Sequence, residues 1–231
     1  MTILNIETSG KICSVALTRD GALEMQLDDR EGMQHANRLA PFVERCMEEL
    51  KRKEEKLDAV AVSLGPGSYT GLRIGLSLAK GLAFSLGIPL IGVDTLKIIA
   101  VKAMFRSMDW TGEEVLVPMV DARRMEVFTA PFDFALNPLA EPGPMILDEN
   151  SFSELLSAGR HLYFIGDGAE KAKKVIDHPN AHWIDGLLPQ AKDMLALSEK
   201  ALREEDFIDI AYSTPNYLKA YQTTTPKNHL V

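Results

Sequence analysis

Cysteine and histidine, the residues that most often bind zinc, are scarce in this chain, which has two cysteines and five histidines among 231 residues. Cys13 and Cys46 lie far apart and form no CxxC pair, so the sequence predicts neither a disulfide framework nor a zinc site. His35 opens a helical pattern, but Leu39 occupies the position where a helical metal site requires a second histidine. We therefore expect no bound metal.

Positive charge is also in deficit, with 25 Lys and Arg against 33 Asp and Glu and a formal net charge of −8. Because phosphate neutralisation dominates nucleic-acid affinity, this balance disfavours a free-standing nucleic-acid binder. The chain has no charged leader followed by an apolar segment. Its apolar run from Leu72 to Leu86 contains Lys80 and is shorter than the roughly 20 residues that span a bilayer. We expect a cytoplasmic protein without a membrane segment.

The most unusual stretch runs from Leu64 to Gly75 and continues as an apolar segment to Gly87. Small residues recur on one i, i+4 row of the predicted helix, at Gly67, Gly71, Gly75, Ala79 and Ala83. A row of this kind lets another backbone approach closely. Because the rest of the helix is apolar on nearly all sides, we expect its own sheet to cover one side and a second protein another.

The same stretch has the pattern Gly65-x-Gly67-x-x-x-Gly71 between a strand and a helix, where glycine-rich loops bind nucleotide phosphates. Its spacing departs from G-x-G-x-x-G, and no Lys-Ser/Thr pair follows the last glycine. Close helix packing is therefore the preferred interpretation, and nucleotide binding is the lesser alternative.

Hydrophobic periodicity predicts the order βββαβαβα for the first half. The strands are Thr2–Glu7, Cys13–Arg19, Ala22–Asp28, Ala59–Ser63 and Ile88–Val93, and the helices are Gln34–Lys53, Ser68–Leu86 and Thr95–Ser107. Thr95 is the predicted N-cap of the third helix. This order is typical of a mixed sheet with helices on its faces.

The second half is a weaker copy of the first. Its strands are Val115–Val120, Glu126–Phe132, Met145–Leu147 and His161–Ile165, and its helices are Ser151–Ala158, Gly168–Ile176 and Leu188–Arg203. Ser151 is the predicted N-cap of the first of these helices, and His178–His182 is predicted to be a loop. We assign residues 1–108 to an N-terminal lobe, 109–221 to a C-terminal lobe and 222–231 to a mobile tail.

Four motifs taken together resemble one family. They are Glu7-Thr8-Ser9, Gly65-Pro66-Gly67-Ser68-Tyr69-Thr70-Gly71-Leu72-Arg73, Val93-Asp94-Thr95-Leu96 and Val120-Asp121-Ala122-Arg123-Arg124. Over nearly its whole length the chain resembles the TsaB (YeaZ) family of bacterial tRNA threonylcarbamoyladenosine biosynthesis proteins. The resemblance implies an α/β, actin-like (ASKHA) fold of two ribonuclease-H-like lobes, each a mixed sheet flanked by helices, with the second lobe reduced.

The resemblance also implies a role. Members of this family are similar to TsaD, with which they pair, and the ATPase TsaE joins the complex. The complex threonylcarbamoylates N6 of adenosine 37 in tRNAs that read ANN codons. We therefore expect a non-catalytic subunit that reaches tRNA only through the complex and forms a homodimer when it is alone.

In this fold class, nucleotide phosphates bind between turns of the two lobes. The positions that match here are Glu7, Thr8, Ser9, Asp121 and Arg123. Two arginines, at 123 and 124, stand where glycines would let backbone N–H groups approach a phosphate. We therefore expect a vestigial nucleotide cleft, with no catalytic residue and no cofactor.

The row of small residues leads to a predicted partner interface on the first two long helices. Its residues are Leu39, Phe42, Gly67, Gly71, Arg73, Gly75 and Ala79. A like surface on a second copy would bury the same patch isologously. On this interpretation, leucine at position 71 or 75 would block TsaD binding and leave a folded monomer.

Two alternatives remain open. The first is a small ASKHA-type kinase or ATPase that uses Glu7, Asp94 and Asp121 around magnesium, since all three acids lie at strand ends. The second is direct tRNA contact through Arg123, Arg124 and the Lys51–Lys56 charge cluster.

Overall fold

The computed structural model describes residues 1–32, 34–106 and 109–218. The strands of the first half are β1 Thr2–Glu7, β2 Cys13–Arg19, β3 Ala22–Asp29, β4 Ala59–Gly65 and β5 Leu90–Asp94. Its helices are α1 His35–Arg52, α2 Tyr69–Leu86 and α3 Thr95–Met104. These elements follow the predicted order and closely follow the predicted bounds. The predicted end of α3 and the predicted tail lie outside the described residues.

The five strands form one mixed sheet in the order β3-β2-β1-β4-β5. β1 to β3 form an antiparallel meander, and β4 and β5 continue from β1 in parallel. Both faces of the parallel part are covered: Val60 and Val62 face a core that includes Leu39 of α1 and Leu76 of α2, while Ala61 belongs to a second core. This two-sided burial explains why β4 is apolar at successive positions.

The second half repeats this plan with shorter helices. Its strands are β6 Val115–Asp121, β7 Glu126–Thr129, β8 Gly143–Ile146, β9 Leu162–Ile165 and β10 Ala181–Ile184. Its helices are α4 Ser153–Ser157, α5 Ala169–Ala172 and α6 Leu195–Glu204, the last preceded by a 3-10 turn at Ala191–Met194. The sheet order, β10-β9-β6-β7-β8, places the strands as in the first sheet. The predicted duplication and the reduced second lobe are confirmed.

Two predictions of local structure in this half differ from the structure. The predicted loop at His178–His182 is confirmed as far as Asn180, but Ala181 and His182 belong to strand β10, in which Trp183 stacks on Phe164 of β9 with ring centroids 4.7 Å apart. Ser151 does not cap α4, since its hydroxyl donates to Asp148 Oδ1 at 3.0 Å and the helix begins at Ser153.

The N-cap of α3 also differs from the prediction. Asp94, not Thr95, caps this helix, and its Oδ1 accepts the backbone N–H of Leu96 at 2.7 Å and of Lys97 at 3.1 Å. Thr95 is buried as the first helical residue. The acid therefore satisfies two N–H groups that the first turn leaves without a helical partner.

Two helices pack across the predicted lobe boundary between residues 108 and 109. Leu96 and Ile99 of α3 pack in the core of the second sheet, whereas Ile98 of the same helix packs in a core of the first. Leu197 of α6 packs on the first sheet, and the amide of Asn216 donates to the Leu64 carbonyl at 2.8 Å. The boundary thus separates the two sheets, but the last part of the chain returns to the first lobe. Among the described helices, none combines the length and hydropathy that crossing a membrane requires.

The small-residue face of α2 lies against the chain's own β1–β2 turn. A Cβ at Gly71 would overlap the carbonyl oxygen of Thr8, one at Gly75 would overlap its hydroxyl, and one at Gly67 would overlap the carbonyl of Ser9. The prediction that these glycines admit a second protein is therefore wrong. These glycines instead leave room for the turn that directly follows β1.

We expect Gly71→Ala to lower the free energy of unfolding by about 1 to 3 kcal/mol, because the added methyl group would push a backbone carbonyl in a packed core. Gly81→Ala in the same helix is the matched control, since a Cβ there meets nothing within 4 Å. The control should raise stability by about 1 kcal/mol through helix propensity. Urea unfolding measures the stability of both variants. Equal stability would contradict the close contact between Gly71 and the carbonyl of Thr8.

Candidate functional site

The β1–β2 turn, Thr8 to Lys11, is held beneath the first turn of α2. The amide of Ser68 donates to the Ser9 carbonyl at 2.7 Å, and the amide of Thr8 donates to Ser63 Oγ at 3.2 Å. Ser68 also caps α2, since its Oγ accepts the amide of Gly71 at 3.2 Å. The backbone of the turn is therefore fixed by β4 and by the loop that follows it.

Glu7 lies directly behind this turn and is fully buried. Its Oε1 accepts the amide of Ser9 at 2.5 Å. Burial raises the pKa of this carboxyl to about 7, although Ser9 and Ser63 oppose the shift. Among the described residues, Glu7 Oε2, Thr8 Oγ1 and Ser9 Oγ have no hydrogen-bond partner. Three of the predicted cleft residues thus form one buried polar group of the first lobe.

The other two predicted cleft residues lie on the β6–β7 turn. Asp121 Oδ1 accepts the amide of Arg123 at 2.6 Å and the ammonium group of Lys171 at 2.8 Å. Partial burial raises the pKa of Asp121, but Lys171 and the Arg123 amide outweigh it and the net shift is downward, with a further contribution from Lys11. Since Lys11 belongs to the first lobe, the β1–β2 and β6–β7 turns lie within electrostatic range of each other.

The three acids of the ATP-binding alternative are each engaged by nearby groups of the protein. Glu7 accepts a backbone amide, Asp94 caps α3, and Asp121 pairs with Lys171. Burial raises the pKa of Asp94 against the two capping amides, which lower it. Throughout residues 1–32, 34–106 and 109–218, no three His, Cys, Asp or Glu side chains are grouped as metal ligands would be.

The predicted partner residues are mostly inside the protein. Leu39 and Ala79 are buried in the core between α1, α2 and the sheet, and Phe42 packs partly against it. Arg73 is exposed and lies over the ring of Tyr69, with its guanidinium carbon 4.7 Å from the ring centroid. The row of small residues therefore packs inside the chain, and other residues form the surface of these helices.

That surface is an open, largely apolar groove between α1 and α2, which we call the α1–α2 groove. It has a volume of about 750 Å³ and is lined by Ala40, Pro41, Val43, Glu44, Leu78, Gly81, Leu82 and Ser85. The sequence carried a signal for it: Leu78 and Leu82 repeat at helical spacing beside the row of small residues, and Ala40 and Pro41 are apolar although they lie outside the buried side of the amphipathic α1.

The C-terminal segment covers another side of α2. Lys80 donates to the carbonyls of Ala211 at 3.1 Å and Ser213 at 2.7 Å. Ile208 and Ile210 pack against the core that contains α2. The sheet, α1 and this segment therefore enclose α2 from three directions, and the α1–α2 groove is on a side that they leave open.

Comparisons with known proteins agree with this architecture. A family model described as "TsaD: tRNA N6-adenosine threonylcarbamoyltransferase" matches residues 31–227. The Escherichia coli K12 protein named "tRNA threonylcarbamoyladenosine biosynthesis protein TsaB" is 30% identical over 226 residues, covering 95% of each chain. The Bacillus subtilis 168 protein of the same name is 31% identical, covering 77% of this chain and 76% of its own length.

A solved structure gives the same result. The structure described as "YeaZ from Pseudomonas aeruginosa" is 26% identical and has a TM-score of 0.77, covering 94% of this chain and 99% of that one. Together with the two repeated sheets, these matches confirm the predicted actin-like arrangement of two ribonuclease-H-like lobes.

We expect Glu7→Gln to remove a pH dependence of stability. The pKa of Glu7 is raised from 4.5 to about 7 in the folded chain, so its contribution to stability is fully present below pH 4.5 and is lost as pH rises through about 7. Glutamine keeps the acceptor for Ser9 without a charge to bury. At about pH 8 the variant should be more stable by on the order of 3 kcal/mol.

Urea unfolding at about pH 4 and pH 8 measures this difference, since the first lies below and the second above the range in which Glu7 titrates. The exposed residue Glu149 provides the matched control as Glu149→Gln. Parallel pH profiles for the original chain and Glu7→Gln would show that Glu7 does not carry the effect.

Proposed function

Because this chain belongs to the TsaB (YeaZ) family, we propose that it is a non-catalytic subunit that pairs with a TsaD protein. The pair, with TsaE, would threonylcarbamoylate N6 of adenosine 37 in tRNAs that read ANN codons. The relatives' names place the family in tRNA threonylcarbamoyladenosine biosynthesis. Residues 31–227 match a family model described for the transferase itself, which supports pairing between two chains of like architecture.

The α1–α2 groove is the observation that carries this proposal. Leu78 and Leu82 are only partly buried there, although both belong to the apolar side of a helix that contributes to the core. Phe84 of the same helix does not line the groove but is also apolar and 79% exposed. Helices of a partner could lay their own apolar ridges into a groove of this kind. Burial of these side chains would supply the hydrophobic driving force for pairing.

The non-catalytic role is supported by the use of the acids. Glu7 is enclosed behind the β1–β2 turn, Asp94 holds the start of α3, and Asp121 is bound to Lys171. Each carboxylate thus has a structural partner. The same groove would serve a second copy of the chain when no TsaD is present, because two like faces can meet across a twofold axis.

We expect Gly81→Glu to abolish pairing while the chain stays folded. A side chain at Gly81 meets no atom within 4 Å, so it fits the isolated protein. In the complex it would place a charge in an apolar interface already bordered by Glu44, and the affinity for TsaD should fall by at least about a hundredfold.

Calorimetric titration with TsaD measures this change. Gly143→Glu is the matched control, because a side chain there also meets open space and β8 lies far from the α1–α2 groove in the other lobe. Unchanged affinity of Gly81→Glu would place the interface elsewhere.

The non-catalytic role is tested by reconstitution. We expect TsaD, TsaE and substrate to give little modified adenosine until this chain is added, and the isolated chain to give no ATP turnover. Modified adenosine is measured by mass spectrometry of nucleosides from digested tRNA. Micromolar ATP binding with turnover by the isolated chain would instead support the kinase or ATPase alternative.

A further inference from the structure

Two adjacent arginines project from the β6–β7 turn. Arg123 and Arg124 are both exposed, and both adopt left-handed backbone conformations, with φ of 70° and 50°. The turn is held in this shape by two backbone hydrogen bonds, Ala122 N–H to the Glu126 carbonyl and Glu126 N–H to the Arg123 carbonyl, each at 3.1 Å. The left-handed conformation costs an L-residue roughly 1 to 2 kcal/mol, because its Cβ comes close to the following carbonyl oxygen. Glycine and asparagine adopt it more readily than arginine. The turn geometry alone therefore does not call for arginine.

These arginines have no acidic partner in the described part of the chain. Five other arginines form ion pairs, namely Arg19, Arg30, Arg38, Arg52 and Arg203. The nearest acid on the turn, Asp121, is already bound to Lys171 at 2.8 Å. Lys11 on the facing β1–β2 turn is exposed and likewise makes no ion pair among the described residues. We call Lys11, Arg123 and Arg124 the cationic rim.

Three backbone amides at the start of the β6–β7 turn are already engaged within the protein. The amide of Asp121 donates to Asp167 Oδ1 at 2.9 Å, the amide of Arg123 donates to Asp121 Oδ1, and that of Ala122 is used within the turn. A nucleotide triphosphate site in a turn of this kind relies on several converging backbone N–H groups. The guanidinium groups of Arg123 and Arg124 are exposed donors, and donors at the surface suit an anion that passes over the cationic rim.

We propose that the cationic rim binds the phosphodiester backbone of RNA. The proposal rests on the proposed function, and it gives this chain its own contact with the tRNA in addition to any contact through its partner. Guanidinium groups bind phosphate oxygens in a bidentate manner, and two adjacent ones suit successive phosphates. A local cationic site of this kind can act in an acidic chain because electrostatic screening confines its field to roughly 10 Å at 0.1 M salt.

The test replaces both arginines by asparagine. Arg123→Asn/Arg124→Asn removes two charges and places at both positions a residue that tolerates left-handed φ, so the melting temperature should be unchanged or higher. We expect the affinity of the TsaD complex for an unmodified tRNA transcript to fall by about tenfold at 0.1 M salt. The slope of log affinity against log salt should become shallower by about 1.5 to 2, as expected for two lost phosphate contacts.

Arg106→Asn/Lys192→Asn is the matched control, because it removes two exposed charges that form no ion pair among the described residues and belong to none of the predicted binding surfaces. It should leave the affinity and the slope unchanged. Equal weakening by both double variants would show a general charge effect and overturn the proposal. Unchanged binding by the arginine variant would also overturn it, as would displacement of the tRNA from the rim by ATP and magnesium.

Pairing with TsaD is measured separately by sedimentation without RNA. If the chain does not pair with TsaD, the proposed function is refuted, but RNA binding by the cationic rim is not. In that case the same variants are compared as isolated proteins at about 50 mM salt, where phosphate contacts are strongest. Under those conditions a tenfold difference between the arginine variant and the original chain supports the rim, and equal affinities refute it.

Discussion

The contact between α2 and the β1–β2 turn determines much of the first lobe. Glycines at 67, 71 and 75 allow the helix to lie directly on the backbone of Thr8 and Ser9, and no larger residue fits at these positions. Glycine inside a helix is unfavourable by roughly 1 kcal/mol relative to alanine, so this helix depends on its packing rather than on its own propensity. Its leucines then complete the core over β1 and β4.

This contact also affects the chemistry of the cleft between the β1–β2 and β6–β7 turns. It holds the β1–β2 turn in place and encloses Glu7 behind it, which raises the pKa of that carboxyl. On the facing lobe, Lys171 and the turn amides engage Asp121. The interior of the cleft is therefore occupied by the protein's own polar groups, while exposed arginines remain at its edge. The surfaces that we propose for contacts with other molecules, the α1–α2 groove and the cationic rim, both lie outside this interior.

The sequence predicted most of the fold because its local signals agree with the final packing. The Asp20-Gly21 hairpin, the apolar strand β4 and the amphipathic α1 all fold as their patterns indicate. The site was harder to predict, because a row of glycines shows that something approaches closely without showing whether it is the same chain or another. Strand β10 was missed because an aromatic stack on Phe164 stabilises it, and such a contact leaves no periodic signal. The left-handed conformation of two arginines also has no signal in residue type, since arginine rarely adopts it.

Helix α3 serves both lobes at once, with Ile98 turned to the first sheet and Leu96 and Ile99 to the second. Neither half of the chain therefore has a complete hydrophobic core of its own. If the chain were cut between its sheets, the first piece would lose α6 and the second would lose α3, and each would expose apolar surface that the other now covers. The two sheets repeat one topology, yet their cores share helices, so we expect the two lobes to unfold together as one cooperative unit.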